Sequence, residues 1–370
     1  MAPRQHPALS ALLVVCAVAA LPHVLPLDAA AQSSSPARCA ATATSLTPAG
    51  WRAPARARQT MPVAGLRLVA TFPLPGPANR FDYQSFDGLS GRLYMNHMNA
   101  GHLLVFDANG GRLLKDVPGL PRATGVLAVP AHHAVYVSAA GDHAVVVLDD
   151  RSLKETARIG DIRFPDGLAF DPATDRVFVS DESGGADVAI DATTHQKRTT
   201  IALGGEAGNT HYDSVSHCVL VAVQTKNELV AIDPVAERVV ARYALAGSDH
   251  PHGFAMDQDA RLAFITGEGN AELLVVDLRT MQILARHRVG ADPDVLAWDP
   301  GWRRLYVASE SGTLSSYWLD GSTLHPLGEY HAPKSHTVAV DPRTHRIFLP
   351  LENVEGHPEL RVLLPREPQP

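Results

Sequence analysis

Seven positions at intervals of 41 to 45 residues carry Asp82, Gly125, Asp166, His211, His252, Asp294 and His336. Each stands five residues before a turn residue that ends an alternating apolar segment. With 18 His in 370 residues, seven matched positions are expected to hold fewer than one; they hold three, and three Asp besides. Imidazoles and carboxylates brought to one axis suit a transition metal such as zinc or copper, and carboxylates alone suit calcium. His211, His252, His336, Asp166 and Asp294 are therefore expected to hold a divalent or transition ion.

A second column at the same repeat reads Met98, Ala140, Glu182, Gln224, Glu268, Glu310 and Glu352. Four of the 13 Glu in the chain fall in it. Asp82, Glu182, Gln224 and Glu352 are expected to contact a ligand. Arg80 and Arg122, just ahead of two of the first-column positions, either bind an anion or pair with these carboxylates. His252, Glu268 and Glu310 are the candidates for moving a proton, with or without metal. The alternative is that both columns merely line a water-filled funnel.

The elements that carry these columns are short strands. RFDYQSFD, TGVLAVP, FPDGLAFD, THYDSVS, HPHGFAMD, DPDVLAWD and SHTVAVD end at Asp87, Pro130, Asp171, Ser216, Asp257, Asp299 and Asp341. After each comes a second strand, RLYMNH, AVYVSA, RVFVSD, CVLVAV, LAFITG, RLYVAS or RIFLPL. Third strands such as HLLVFD and LLVVDL end in Asp107, Asp149, Asp191, Asp233 or Asp277. There an Asp side chain caps the following turn, a structural use. A fourth, more polar strand gives four antiparallel strands in about 42 residues, the size of one propeller blade. First strands begin and second strands end at the same side of a blade, so both columns belong to one rim.

The expected fold is all-β, a seven-bladed propeller over residues 64–366. Its last unit lacks a strand, which LRLVATFPL at Leu66 to Leu74 can supply, so that the ring has no free edge. An open β-solenoid is the alternative. Only 19% of residues are charged while 28 Gly and 28 Pro break helices, which excludes a helical bundle. A formal charge of −7 without a basic tract excludes a nucleic-acid partner.

Residues 1–31 have Arg4, an apolar run from Ala8 to Leu21 and small residues at Ala29, Ala30 and Ala31, the pattern of a cleaved secretory signal. Residues 32–63 read as a flexible tether. The expected location is periplasmic or secreted, with no membrane span after cleavage and a monomeric state. Cys16, Cys39 and Cys218 show no paired spacing, so Cys218 reads as a buried free thiol and Cys39 as part of the tether.

The RLYVAS and VYVSAA strands, followed by VVVLD or VVDL, resemble the YVTN-type repeats of YncE-like seven-bladed propellers over about residues 66–364. The resemblance implies the fold. Related propellers include binding proteins, dehydrogenase subunits, lactonases and lyases, so function must be argued from the site. The expectation is an exported propeller that binds a small molecule or a metal on its rim. The alternatives are a metal-dependent hydrolase or lyase on the same rim, or a protein-interaction platform. The last is weakened by an aromatic content of 6%.

Overall fold

Period-two alternation broken every six or seven residues by Asp and Gly leaves the chain no option but short strands joined by tight turns. The computed structural model describes Cys39 and residues 65–366. The expected signal and most of the tether lie outside the described residues. Seven four-stranded antiparallel sheets form, each from consecutive strands except the last. In that blade Leu66–Pro73 pairs with His357–Pro365, which pairs with Arg346–Val354 and then with the short inner strand Ala339–Asp341. No helix among the described residues is long and apolar enough to cross a membrane.

The core is divided among the seams. Each pair of neighbouring blades encloses one buried apolar cluster, seven in all, from the Leu103–Val146 group between blades 1 and 2 to the Leu93–Phe348 group between blades 7 and 1. Arginines at the start of second strands reinforce four seams. Arg92 and Arg176 donate to the carbonyls of Asp150 and Pro234, and Arg304 and Arg346 donate to Arg366 O at 2.9 Å and Ala108 O at 3.1 Å. The third-strand aspartates cap turns as expected. Asp107, Asp149 and Asp191 accept from the N–H groups of Gly110, Ser152 and Thr194 at 2.7 to 2.8 Å.

Three sequence expectations are corrected. Cys218 is not a free thiol: it occupies the start of the second strand of blade 4 and forms a disulfide with Cys39. Even cysteine spacing carries no trace of a bond spanning 179 residues. The repeat anchors of blades 2 and 4 are Val129 and Asp213, which pair with Ala134 and Cys218 as Asp87 pairs with Arg92. The matched first-column positions there are consequently Thr124 and Gly208. Gly125 lies one residue deeper and His211 three residues deeper.

Candidate functional site

The inner strands of blades 2 to 6 carry a bulge just past their first residue, as in the register shift between Pro165 and Leu168. The bulge turns the first-column side chain toward the mouth of the channel. Glycine follows that column in blades 2 and 5 because the strand there presses on its neighbour. A Cβ on Gly125 or Gly253 would sit 1.9 or 1.5 Å from the carbonyl oxygen of Asp166 or Asp294. The second-column residues begin the connections at the same rim; Glu268, for example, opens the 3-10 turn Glu268–Asn270.

Asp294 is the hub. Its carboxylate lies 2.9 Å from His336 Nε2, 3.4 Å from His252 Nε2 and 3.7 Å from the Arg80 guanidinium. His336 also meets Asp82 at 3.0 Å through Nε2 and Glu310 at 2.9 Å through Nδ1. Arg80 donates to Glu310 at 2.7 Å. Across the mouth, Tyr83 donates to Asp166 Oδ2 at 3.1 Å, and its hydroxyl is 3.1 Å from His252 Nε2. All five first-column ionisable groups, Asp82, Asp166, His252, Asp294 and His336, are buried.

Burial and charge pull these groups in opposite directions. Burial pushes the Asp166 carboxyl up to about 8, with Asp82 adding repulsion and His252 opposing it. Burial likewise raises Glu182, Glu268 and Glu352. Burial disfavours the charged imidazole of His252, but Asp294, Glu268 and Asp166 outweigh it and carry it to about 9. His336 is raised in the same way by Asp294 and Asp82 against its own burial. Asp294 is buried too, yet the two imidazoles and Arg80 hold it below the usual carboxylate range.

Two sets of donors have ligand atoms within 4.8 Å of one another: His252, Glu268 and Asp294, and Asp294, Glu310 and His336. Within them His252 Nδ1 and Asp294 Oδ1 are buried without a hydrogen-bond partner. The rim therefore gathers His252, His336, Asp166, Asp294, Asp82, Glu268, Glu310 and Arg80. Gln224 lies beside them, donating to Ala207 O at 3.2 Å and holding Glu182. Two expected residues stand apart. His211 is in the channel below the rim, edge-on to Phe254 at 4.3 Å, and burial lowers its imidazole to about 4. Arg122, in a left-handed turn at φ 51°, stacks its guanidinium over Phe164 at 4.8 Å instead of pairing with a rim carboxylate.

Tyr83 was not legible as a site residue. Its position holds Gly, Asn, Val or Thr in the other blades, and that break in the pattern is the only signal for it.

No family model matches the chain. The YncE protein of Salmonella typhi is 26% identical over 193 residues, 51% of this chain and 53% of the relative. That of Escherichia coli O157:H7 is 29% identical over 145 residues, 38% of this chain and 40% of the relative. The chain thus spans about half the length, or less, of the curated relatives it matches. Among solved structures, hydrazine synthase of Kuenenia stuttgartiensis superposes with a TM-score of 0.67 at 14% identity, covering 78% of this chain and 95% of that one. Virginiamycin B lyase from Staphylococcus aureus gives 0.68 at 10% identity, covering 81% and 100%. At such identities these two speak for the fold alone. The chain is a seven-bladed β-propeller of four-stranded blades whose sequence is similar to that of YncE over about half of its length.

Proposed function

We propose that the rim binds a divalent cation through His252, Glu268 and Asp294, with Glu310 and His336 forming a second set that shares Asp294. The observation that carries this reading is the convergence of ligand atoms of His252, Glu268 and Asp294 within 4.8 Å of one another, with His252 Nδ1 buried and without a hydrogen-bond partner, so that a cation would take the place of its proton. The charge balance agrees with it. Asp82, Asp166, Asp294, Glu182, Glu268, Glu310 and Glu352 outnumber the cations that face them, Arg80, Lys334 beside Glu352 and two imidazoles, so an added positive charge relieves repulsion. Mixed imidazole and carboxylate donors favour zinc or copper over calcium, which prefers an all-oxygen shell.

Metal content of protein purified without chelator, followed by calorimetric titration with Zn²⁺, Cu²⁺ and Ca²⁺, tests the reading. Saturable binding near one ion per chain is expected, weakened at least tenfold in His252→Ala and in Glu268→Gln. Absence of saturable binding below about 100 μM for all three ions would overturn it.

A metal-dependent hydrolase or lyase is the second reading, favoured by the Tyr83 hydroxyl placed within 3.1 Å of both Asp166 and His252 beside the cation set. A bound cation would act there as a Lewis acid, and Tyr83 would position a substrate oxygen. Turnover of simple lactones is the first assay. Loss of turnover in Tyr83→Phe with metal binding retained is the expected signature. We also propose an exported protein, because the Cys39–Cys218 bond belongs to an oxidising compartment. Mass spectrometry of the mature protein should find a start near Gln32, and an intact Met1 in the soluble fraction would contradict this.

A further inference from the structure

Below the rim the channel widens into a cavity of about 430 Å³, within the range of small-molecule sites. Inner-strand residues of all seven blades line it, and no Asp, Glu, Lys or Arg is among them. One more column in the same register, four residues past the rim, reads Phe86, Ala128, Phe170, Tyr212, Met256, Trp298 and Val340, and all but Ala128 and Met256 line the cavity. Every one is half-buried, packed on one side against a seam cluster. Phe86, Phe170, Tyr212 and Trp298 face the cavity. The chain has 22 aromatic residues in 370, so four in seven matched positions is about tenfold above an even distribution.

Of the polar groups that line the cavity above this collar, two offer an acceptor for a ligand. Burial keeps the His211 imidazole neutral, and a backbone hydrogen bond at Phe254 occupies one side of it, leaving the other ring nitrogen to serve the cavity. Gln84 lines the same space, and its Oε1 is buried without a hydrogen-bond partner. An uncharged cavity with an aromatic collar and acceptors above it selects for shape, neutrality and an N–H or O–H donor. A charged ligand would have to leave water without a counter-charge.

We infer that the channel is a second binding site, separate from the ionic rim, for a small neutral aromatic molecule that donates a hydrogen bond to His211 or Gln84. The site needs no metal.

Saturation-transfer NMR on the full chain with indole and phenol, and with benzoate and benzylamine as charged comparators, tests it. Indole or phenol is expected to bind with a Kd below about 1 mM, and both charged probes at least tenfold more weakly. Excess chelator should leave these values unchanged, which separates the result from that of the rim. Ala297 lines the cavity and is 7% exposed, so Ala297→Phe should fill the space and abolish the signal. Should that variant fail to fold, His211→Leu serves instead, with phenol binding falling at least fivefold. No binding of either neutral probe below 5 mM, equal binding of the charged probes, or wild-type binding by the folded blocking variant would each overturn the inference.

Discussion

Asp187 is a fully buried carboxyl group whose oxygens make no hydrogen bond of good geometry. Burial raises it to about 7, with the Thr210 hydroxyl and the Val179 N–H pulling the other way. In the same register the other blades have Leu103, Val145, Leu229, Leu273, Leu314 and Leu360. A folded-state pKa above the unfolded value means that the native state holds the extra proton. The contribution is fully present below about pH 4 and is lost as the pH rises through 7. Asp187→Leu should therefore stabilise the protein more at pH 8 than at pH 4.5, by about 3 kcal/mol, since at pH 4.5 part of the rise to about 7 is already felt. Urea unfolding at the two pH values checks it; an equal gain at both would mean that the carboxyl is solvated or paired. Single residues were also where the sequence was least readable. Asp82, Asp166, His252, Asp294 and His336 could be aligned because the repeat keeps their register, whereas the role of Tyr83 depends on a partner 83 residues away and one 169 away. Arg80 and Arg122 look alike in sequence, but only Arg80 reaches a rim carboxylate.

At the scale of strands, the alternation was plain and its end points were not. A hydroxyl three residues after the anchor Asp bonds back to it in several blades: Ser90 to Asp87, Thr344 to Asp341 at 2.7 Å, Ser216 to Asp213 at 2.5 Å. Ser216 is thus the end of a turn whose start, Asp213, is the true anchor, and counting back from it moved His211 into a column that belongs to Gly208. In blade 2 the anchor is Val129, with no Asp to mark it, and a 3-10 turn at Pro130–His132 takes over the turn. Leu66–Pro73 is mostly exposed, so its value lies in backbone pairing with His357–Pro365 and in the Phe72–Phe106 contact at 5.0 Å. Under reducing conditions, a chain starting at Gly65 should keep the melting temperature of the full chain to within a few degrees. One starting at Gly76 should lose about 10 °C or more, from several kcal/mol at roughly 2–4 °C each, and should aggregate along the bared strand. Matching melting curves for the two truncations would mean that this strand contributes little.

Across the whole molecule the disulfide has the longest reach. Cys218 stands where blades 1, 3, 6 and 7 have the seam arginines Arg92, Arg176, Arg304 and Arg346, and it bonds to Cys39 from within the seam cluster of blades 4 and 5. In the chain-entropy account a loop of this length is worth up to about 5 kcal/mol. Cys218→Ser should lower the melting temperature of the oxidised protein, and dithiothreitol should bring the wild type down to the same value. A wild type indifferent to reductant would contradict this. The ring architecture was readable from the sequence because seven copies repeat one pattern; the disulfide was not, because it occurs once.

Joining Leu66–Pro73 to His357–Pro365 also sets the order of events when the chain is made. Blades 1 to 6 are each complete as soon as their own four strands have emerged, since every pairing in them is between consecutive strands. The seventh has to wait until His357–Pro365 has been made, and Leu66–Pro73 stays without that partner until then. Local hairpins can therefore form early and fast, whereas the step that fixes the ring brings together segments almost 300 residues apart and is correspondingly slow. During that interval the nascent molecule is an open arc with a bare edge at each end, and this is the stage at which a holding chaperone would find a strand to grip.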